Sequence, residues 1–315
     1  MPADTIADGR AVTYDAVVVG GSFAGLAAAM QLARARRRVL VVDTGRPRNR
    51  FAAGSHGFIG QDGRAPADIL DAARAQVLAY PTAEVRTDEA VEARADGDGF
   101  AIALASGASV RARRLVLATG VVDELPDVPG IRERWGVTVL HCPYCHGYEV
   151  ADGRLGVLAT SAANVHQALL LPDWSADVTL FTNDAVELDE EQRTALAARG
   201  VRVEPRLVEA LLGDAPALAG VRLQDGTTHE LDALFVGSRT SFASPLAMQL
   251  GCAVDDGPSG PVVSTDAFKE TSVPGVFAAG DAARASHTVS FAVGDGVAAG
   301  IAAHRSLVFA PPGSG

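Results

Sequence analysis

Two strand–turn–helix–strand patterns constrain this chain more than any other feature, and they differ at the turn. In the first, residues 14–19 (YDAVVV) read as a buried strand. The turn Gly20-Gly21-Ser22-Phe23-Ala24-Gly25 then opens an Ala-rich helix running to about Ala35, and a strand over 39–42 ends at Asp43. A glycine-rich turn between a strand and a helix lets backbone approach a phosphate closely. Gly20 permits the tight turn, Gly25 lets the helix pack on the strand, and Ser22 replaces the middle glycine of G-x-G-x-x-G with another small residue. The helix start offers unpaired N–H groups to the phosphate. Asp43, 18 residues past Gly25, stands where an acid accepts ribose hydroxyls. The alternative is an ordinary strand–turn–helix. In the second pattern, strands over 155–158 and 177–181 flank a helix over 164–171, but the turn is Ala159-Thr160-Ser161-Ala162-Ala163. Ala159 and Ser161 stand where glycines would, and their Cβ atoms crowd a pyrophosphate.

The 315 residues suffice for two domains, each with its own core. No apolar run reaches the roughly 18 residues of a membrane span, and the start, MPADTIADGR, is acidic and polar, unlike a signal peptide. The expectation is a soluble cytoplasmic protein without a membrane partner. A formal charge of −11 without a basic block argues against nucleic acid. Three cysteines cannot build a disulfide framework, and Cys252 reads as a small buried apolar side chain.

The other two cysteines form His141-Cys142-Pro143-Tyr144-Cys145-His146-Gly147-Tyr148-Glu149. Two thiols separated by two residues can close a small ring, and a helix beginning there lowers a thiol pKa to about 7 or below. Thiolate is the attacking species in exchange. Three rival readings exist: a c-type haem attachment signature, zinc ligation together with the histidines, and an inert structural pair. Haem attachment needs export, and four ligands within six residues close a tetrahedron poorly. His141 and His146 can each exchange protons near neutral pH, or can each simply pack.

Two further signals lie downstream. Residues 115–120 (LVLATG) form a strand ending at Thr119 and Gly120. Residues 271–281 (TSVPGVFAAGD) carry a strand over 275–279 ending at Gly280 and Asp281. Ligands of open α/β sheets sit beyond such carboxyl ends. In this order the pieces resemble the flavoprotein disulfide reductases, and the low-molecular-weight thioredoxin reductases in particular, over nearly the whole length. The resemblance implies an α/β fold of two dinucleotide-binding (Rossmann-like) domains, the second inserted in the first. An FAD domain would span 1–122 and 247–315, and the inserted nicotinamide-type domain 123–246, with connections at 125–130 and 242–245. It also implies a homodimer. Cys145 would lie against the flavin while Cys142 exchanges with substrate, and Asp281 would reach the ribityl chain. Asn49 and His56 would lie beneath the isoalloxazine or line a substrate pocket, or belong to an ordinary polar loop. The last helix would start at Ala292 near the flavin pyrimidine. There the family's Arg-Gln pair is replaced by His287-Thr288.

The chain departs from thioredoxin reductases at two places. His146 stands where they usually place Asp, and Cys-x-x-Cys-His-Gly-Tyr-Glu resembles the dithiol oxidases that close disulfides in gliotoxin- and holomycin-type natural products. Where a nicotinamide-binding relative carries Gly-x-Gly-x-x-Ala, this chain has the alanine- and serine-bearing turn. Thr182-Asn183-Asp184 replaces the arginines that clamp the 2′-phosphate. The expected function is an FAD-dependent oxidase of a small-molecule dithiol, with molecular oxygen as acceptor and hydrogen peroxide as product. The alternatives are a thioredoxin reductase, fed by NADPH or another donor, and a flavin-containing sensor whose pair no longer turns over.

Overall fold

The structure is a computed structural model, described over residues 13–309. The N-terminal MPADTIADGR and the ends of the expected outer domain segments lie outside the described residues. The first pattern forms β1 (Thr13–Val19), α1 (Phe23–Arg34) and β2 (Val39–Asp43). β1 pairs in parallel with β2 on one side. After α2 (Pro66–Leu78), β3 (Ala83–Thr87) extends the parallel edge; β4 (Ala90–Asp96), β5 (Gly99–Leu104) and β6 (Ser109–Leu117) complete the order β3-β2-β1-β6-β5-β4. Side chains alternate between two cores. Val17, Leu40 and Leu115 pack on one face. Val18, Val41 and Val116 pack on the other. Strands covered on both faces need the continuous apolar runs seen in β1 and β2.

The chain then crosses to a second sheet and back. β7 (Val121–Glu124) pairs antiparallel with β16 (Arg239–Phe242), so the two crossings run side by side. The connections expected at 125–130 and 242–245 begin where this ribbon ends. Between the crossings, β8 (Val139–Leu140), β9 (Leu155–Leu158), β10 (Val178–Phe181), β11 (Arg202–Glu204) and β15 (Ala233–Val236) form a parallel sheet in the order β11-β10-β9-β15-β8. α3 (Pro143–His146) follows β8, α4 (Ala163–Leu170) connects β9 to β10, and α5 (Glu190–Ala198) precedes β11. A meander of β12 (Val208–Leu212), β13 (Gly220–Leu223) and β14 (Thr228–Glu230) closes one face.

After β16 come α6 (Leu246–Gln249) and the hairpin β17 (Val254–Gly257)–β18 (Gly260–Val263). β19 (Val276–Ala278) then returns to the first sheet beside the second half of β6, whose first half pairs with β5. Cys252 is buried as expected, with its thiol pushed up by burial. The final helix α7 (Val289–Phe309) starts three residues before the expected Ala292. Thr288 explains the difference: its hydroxyl accepts the Phe291 N–H at 3.1 Å, an N-terminal cap that fixes the start earlier. Among the described residues no helix is long and apolar enough to cross a membrane.

α7 lies against α1 through small residues. A Cβ on Gly296 would overlap the carbonyl oxygen of Ala24, whereas one on Gly294 meets nothing within 4 Å. Gly296→Ala is therefore expected to lose about 1–3 kcal/mol through overpacking. Gly294→Ala should hold or gain up to about 1 kcal/mol from helix propensity. Denaturant midpoints of the two variants check this, and equal effects would contradict the close helix contact.

Candidate active site

At the first turn, Gly20 adopts φ +100° and a Cβ there would overlap the Ala118 carbonyl. The Gly21 N–H donates to Asp43 Oδ1 at 3.0 Å, and Arg74 holds the other carboxylate oxygen at 2.9 Å. The N–H groups of Ser22, Phe23 and Ala24 meet no acceptor among the described residues. Such a turn can receive an anionic group from outside. Gly280, Ala24 and Ala292 converge beside it: a Cβ on Gly280 would stand 2.9 Å from the Ala24 methyl and 3.7 Å from that of Ala292. Thr119 and Gly120 follow β6 at the same edge, and Asp281 follows β19. The residues assigned to the cofactor from separate stretches thus share one end of the first sheet. This end fits a dinucleotide: open N–H donors at a glycine turn, with acids at the ends of β2 and β19.

Arg48 joins that edge to the crossing ribbon. Its guanidinium donates to Asp123 Oδ2 at 2.8 Å, to Asp281 Oδ2 at 3.0 Å, and meets His287 Nδ1 at 2.8 Å. Burial would lower its pKa, but Asp123 and Asp281 more than reverse this and raise it above the ordinary arginine value. Burial likewise pushes the Asp123 carboxyl up, while Arg48 and Ser238 outweigh it and hold the group below its usual range. No local pattern marks Arg48: the three arginines within 46–50 look alike in sequence until the fold turns one inward. Asn49, its neighbour, has no side-chain hydrogen bond among the described residues.

Cys142 and Cys145 form a disulfide with Cα atoms 5.3 Å apart. Cys142 caps α3, and the N–H groups of Cys145 and His146 donate to its carbonyl at 3.2 Å each. The expected helix start is present, but α3 is a single turn of four residues, so its dipole is small. Tyr144 stands edge-on to Trp174 with ring centroids 5.6 Å apart, and Tyr144 and Tyr148 are 72% and 83% exposed. The two histidines face different ways. His141 turns inward, its Nδ1 3.4 Å from both the Val236 carbonyl and the Ser238 hydroxyl, which donates to Asp123 at 2.7 Å. His146 faces His56 from the first sheet, with ring centroids 6.4 Å apart, and His56 Nδ1 lies 3.4 Å from Glu149. The loop carrying His56 is fixed by an antiparallel bridge between Ser55 and Arg64.

The second turn is partly closed from within. The Asn164 side-chain oxygen accepts the N–H groups of Thr160 at 2.9 Å and Ser161 at 3.1 Å. Asn164 is buried, and a Cβ on Gly237 would overlap its amide. The Cβ atoms of Ala159 and Ser161 were expected to obstruct the turn; the structure adds a side chain that takes two of its N–H donors, while those of Ala162 and Ala163 meet no acceptor among the described residues. Beyond β10, Asn183 and Asp184 both adopt positive φ (50° and 53°), and the Asn183 side chain accepts the Val208 N–H. An open cavity of about 430 Å³ there is lined by Thr182, Asp184, Glu187 and Arg193.

An open glycine turn, acids at two strand ends and a disulfide in a second parallel sheet define a dinucleotide-binding dithiol–disulfide oxidoreductase. The family model described as pyridine nucleotide-disulphide oxidoreductase matches residues 14–296, and the chain belongs to that family. It is 35% identical over 305 residues to the thioredoxin reductase tcpT of Claviceps purpurea (strain 20.1), covering 93% of this chain and 94% of that one. The crystal structure of an oxidoreductase from Agrobacterium tumefaciens has a TM-score of 0.91 at 47% identity, over 95% of this chain and 100% of that one. That of HlmI has a TM-score of 0.86 at 43% identity, over 95% and 93%. The fold is that of the thioredoxin reductases, with two dinucleotide-binding domains, and the cofactor is FAD.

Burial lowers the pKa of His141, His146 and His287 below the ordinary 6.5. Arg48 adds to this at His141 while Asp123 opposes it; at His146, Glu149 opposes it and His56 adds to it. The unfolded chain binds protons at these histidines at higher pH than the folded one does. Their contribution to stability is therefore full above pH 6.5 and falls as the pH drops from there towards the folded values. Urea midpoints followed by tryptophan fluorescence should be lower at pH about 5.5 than at about 7.5. A level or rising midpoint on acidification is the contrary result.

Proposed function

We propose that this chain is an FAD-dependent dithiol oxidase: it closes a disulfide in a small-molecule dithiol through Cys142 and Cys145 and delivers the electrons to molecular oxygen. The observation that carries this reading is the second turn. Asn164 takes the Thr160 and Ser161 N–H groups, so a pyridine nucleotide brought to this sheet would find two of the turn's donors already engaged. Asp184 beyond β10 repels a 2′-phosphate as well. Electrons then enter from the thiol side.

A substrate thiolate attacks Cys142 Sγ, breaking the Cys142–Cys145 bond and releasing the Cys145 thiolate. The second substrate thiolate attacks the substrate sulfur of this mixed disulfide, closing the product disulfide and releasing Cys142. Two electrons now reside on the cysteine pair, and the two substrate protons must be taken up. His146 is suited to take them: its lowered pKa leaves it neutral at neutral pH, and it lies with His56 and Glu149 near exposed Tyr148. His141, next to Cys142 in the chain and beside the Arg48–Asp123 pair, is suited to a second proton from the cysteine pair. The isoalloxazine of bound FAD supplies the two-electron acceptor for the reduced pair and the outlet to oxygen, giving hydrogen peroxide.

For holding FAD we assign the turn Gly20, Gly21, Ser22, Phe23, Ala24 and Gly25 to the pyrophosphate and Asp43 to the ribose. Thr119, Gly120, Gly280, Asp281 and Ala292 form the far edge of the site, with Asn49 in the loop beside Arg48. Residues 1–122 and 247–315 form the FAD domain and 123–246 the inserted one; the β7–β16 ribbon supports this division. A homodimer in the cytoplasm completes the reading.

Under anaerobic conditions a small dithiol such as dithiothreitol should bleach the flavin, whereas NADPH and NADH should not. Readmitted oxygen should restore the colour with about one peroxide per dithiol consumed. A second reading, thioredoxin reductase, is favoured by the name of the tcpT relative. Rapid anaerobic bleaching by NADPH would establish it and remove the oxidase.

The two cysteines should also differ in kind. Cys142→Ser leaves the Cys145 thiolate beside the flavin and should add long-wavelength absorbance, while Cys145→Ser should show none and resist reduction by dithiols. The reverse pattern exchanges their roles.

A further inference from the structure

We propose that Gln167 is a positioning residue for the redox pair. A hydrogen-bond chain from the second turn through Asn164 and Gln167 to the His141 carbonyl fixes the peptide from which Cys142 departs. The inference rests on Cys142–Cys145 being the pair that accepts electrons from thiols. Asn164 Nδ2 donates to Gln167 Oε1 at 3.0 Å, and Gln167 Nε2 donates to the His141 carbonyl at 2.7 Å. Asn164 and Gln167 lie three apart on α4, so they share one face of the helix.

The direction of this chain is imposed by its ends. The Thr160 and Ser161 N–H groups can only donate, so Asn164 must present its oxygen to them and its NH2 group to Gln167. The His141 carbonyl can only accept, so Gln167 must present its NH2 group there. Both amide orientations follow, and neither can flip without breaking two bonds.

The tether matters because the Cys142 carbonyl and sulfur are held within α3, whereas the residue before them has few partners among the described residues. β8 is two residues long and its ladder with β15 stops at the Leu140–Phe235 pair. Beyond it, the His141 ring makes only 3.4 Å contacts. The 2.7 Å bond from Gln167 therefore orients the His141–Cys142 peptide. Rotating that peptide moves the Cys142 Cα, and with it the S–S axis along which a substrate thiolate must approach. The side chain that takes two donors of the second turn thus also helps to aim the disulfide, through Gln167.

The test is anaerobic stopped-flow reduction of the flavin by dithiothreitol in the full-length holoenzyme, from pH about 5 to about 8, with FAD content and melting temperature recorded alongside. Gln167→Ala should slow reduction about 10- to 100-fold, the cost of a small misplacement of a reacting group. Gln167→Glu is the discriminating variant. Ionised, it turns a carboxylate oxygen onto the His141 carbonyl and repels it; protonated, it regains a donor. Its rate relative to the unsubstituted enzyme should be low near pH 8 and recover towards pH 5. Asn164→Asp should behave like ionised Gln167→Glu, because the new carboxylate draws the Gln167 NH2 group to itself and turns its oxygen to His141. Rates of Gln167→Ala and Gln167→Glu within about twofold of the unsubstituted enzyme at every pH would overturn the proposal. So would a Gln167→Glu deficit constant with pH, the mark of packing alone. If Gln167→Ala fails to hold FAD, the pH dependence of Gln167→Glu and Asn164→Asp decides. If the unsubstituted flavin is not reduced by dithiothreitol at all, the redox-pair reading fails first, and visibly separately.

Discussion

A buried backbone N–H must be accepted by something, and how the two turns meet that demand organises this molecule. At the first turn the helix start leaves donors that only an outside group can satisfy, which makes a cofactor part of the completed structure. At the second turn Asn164 meets part of the same demand internally, at the Thr160 and Ser161 N–H groups. For those two groups an internal acceptor is always present, so a phosphate would have to displace bonds already made, at about the value of the contacts it brings. One fold repeated twice thereby gives one open end and one partly closed one.

On the oxidase reading the second sheet has a different task. β8, β9 and β15 still present the residues at their carboxyl ends to one side, and α3 with the disulfide grows from that side. Histidines with lowered pKa values flank the pair, His141 turned to the Arg48–Asp123 ion network and His146 to His56. Neutral imidazoles near a disulfide suit a reaction that must move protons off thiols at neutral pH.

Arg48 links one end of the first sheet to the crossing ribbon electrostatically. A buried ion pair gains little net stability once desolvation is counted. Its planar fork does fix direction, however, engaging Asp123 on the crossing ribbon with two nitrogens and Asp281 beside the cofactor edge with a third. One guanidinium thus ties the loop after β2 to the crossing ribbon and to the end of β19, whereas its neighbours in sequence, Arg46 and Arg50, stay at the surface.

Local patterns in the chain were enough to read the first strand–turn–helix unit, the strand before Thr119, the strand before Asp281 and the cysteine pair. Each is a contiguous signal in which glycine, acid or thiol stands at a fixed offset from an apolar run, so short-range physics determines it. The start of α7 was misplaced because Thr288 acts as a cap, which a run of small residues hides. Only the tertiary structure brought Arg48 to Asp123 and Asp281, and His56 to Glu149 beside His146, since these partners lie far apart in the chain. The same holds for Asn164 and Gln167. Spacing shows that they share a helix face, but whether that face meets solvent, a phosphate or the His141 carbonyl is settled by packing α4 against the end of β8. A hydrogen bond between distant residues leaves no mark on local sequence, because it is the fold that chooses its partner.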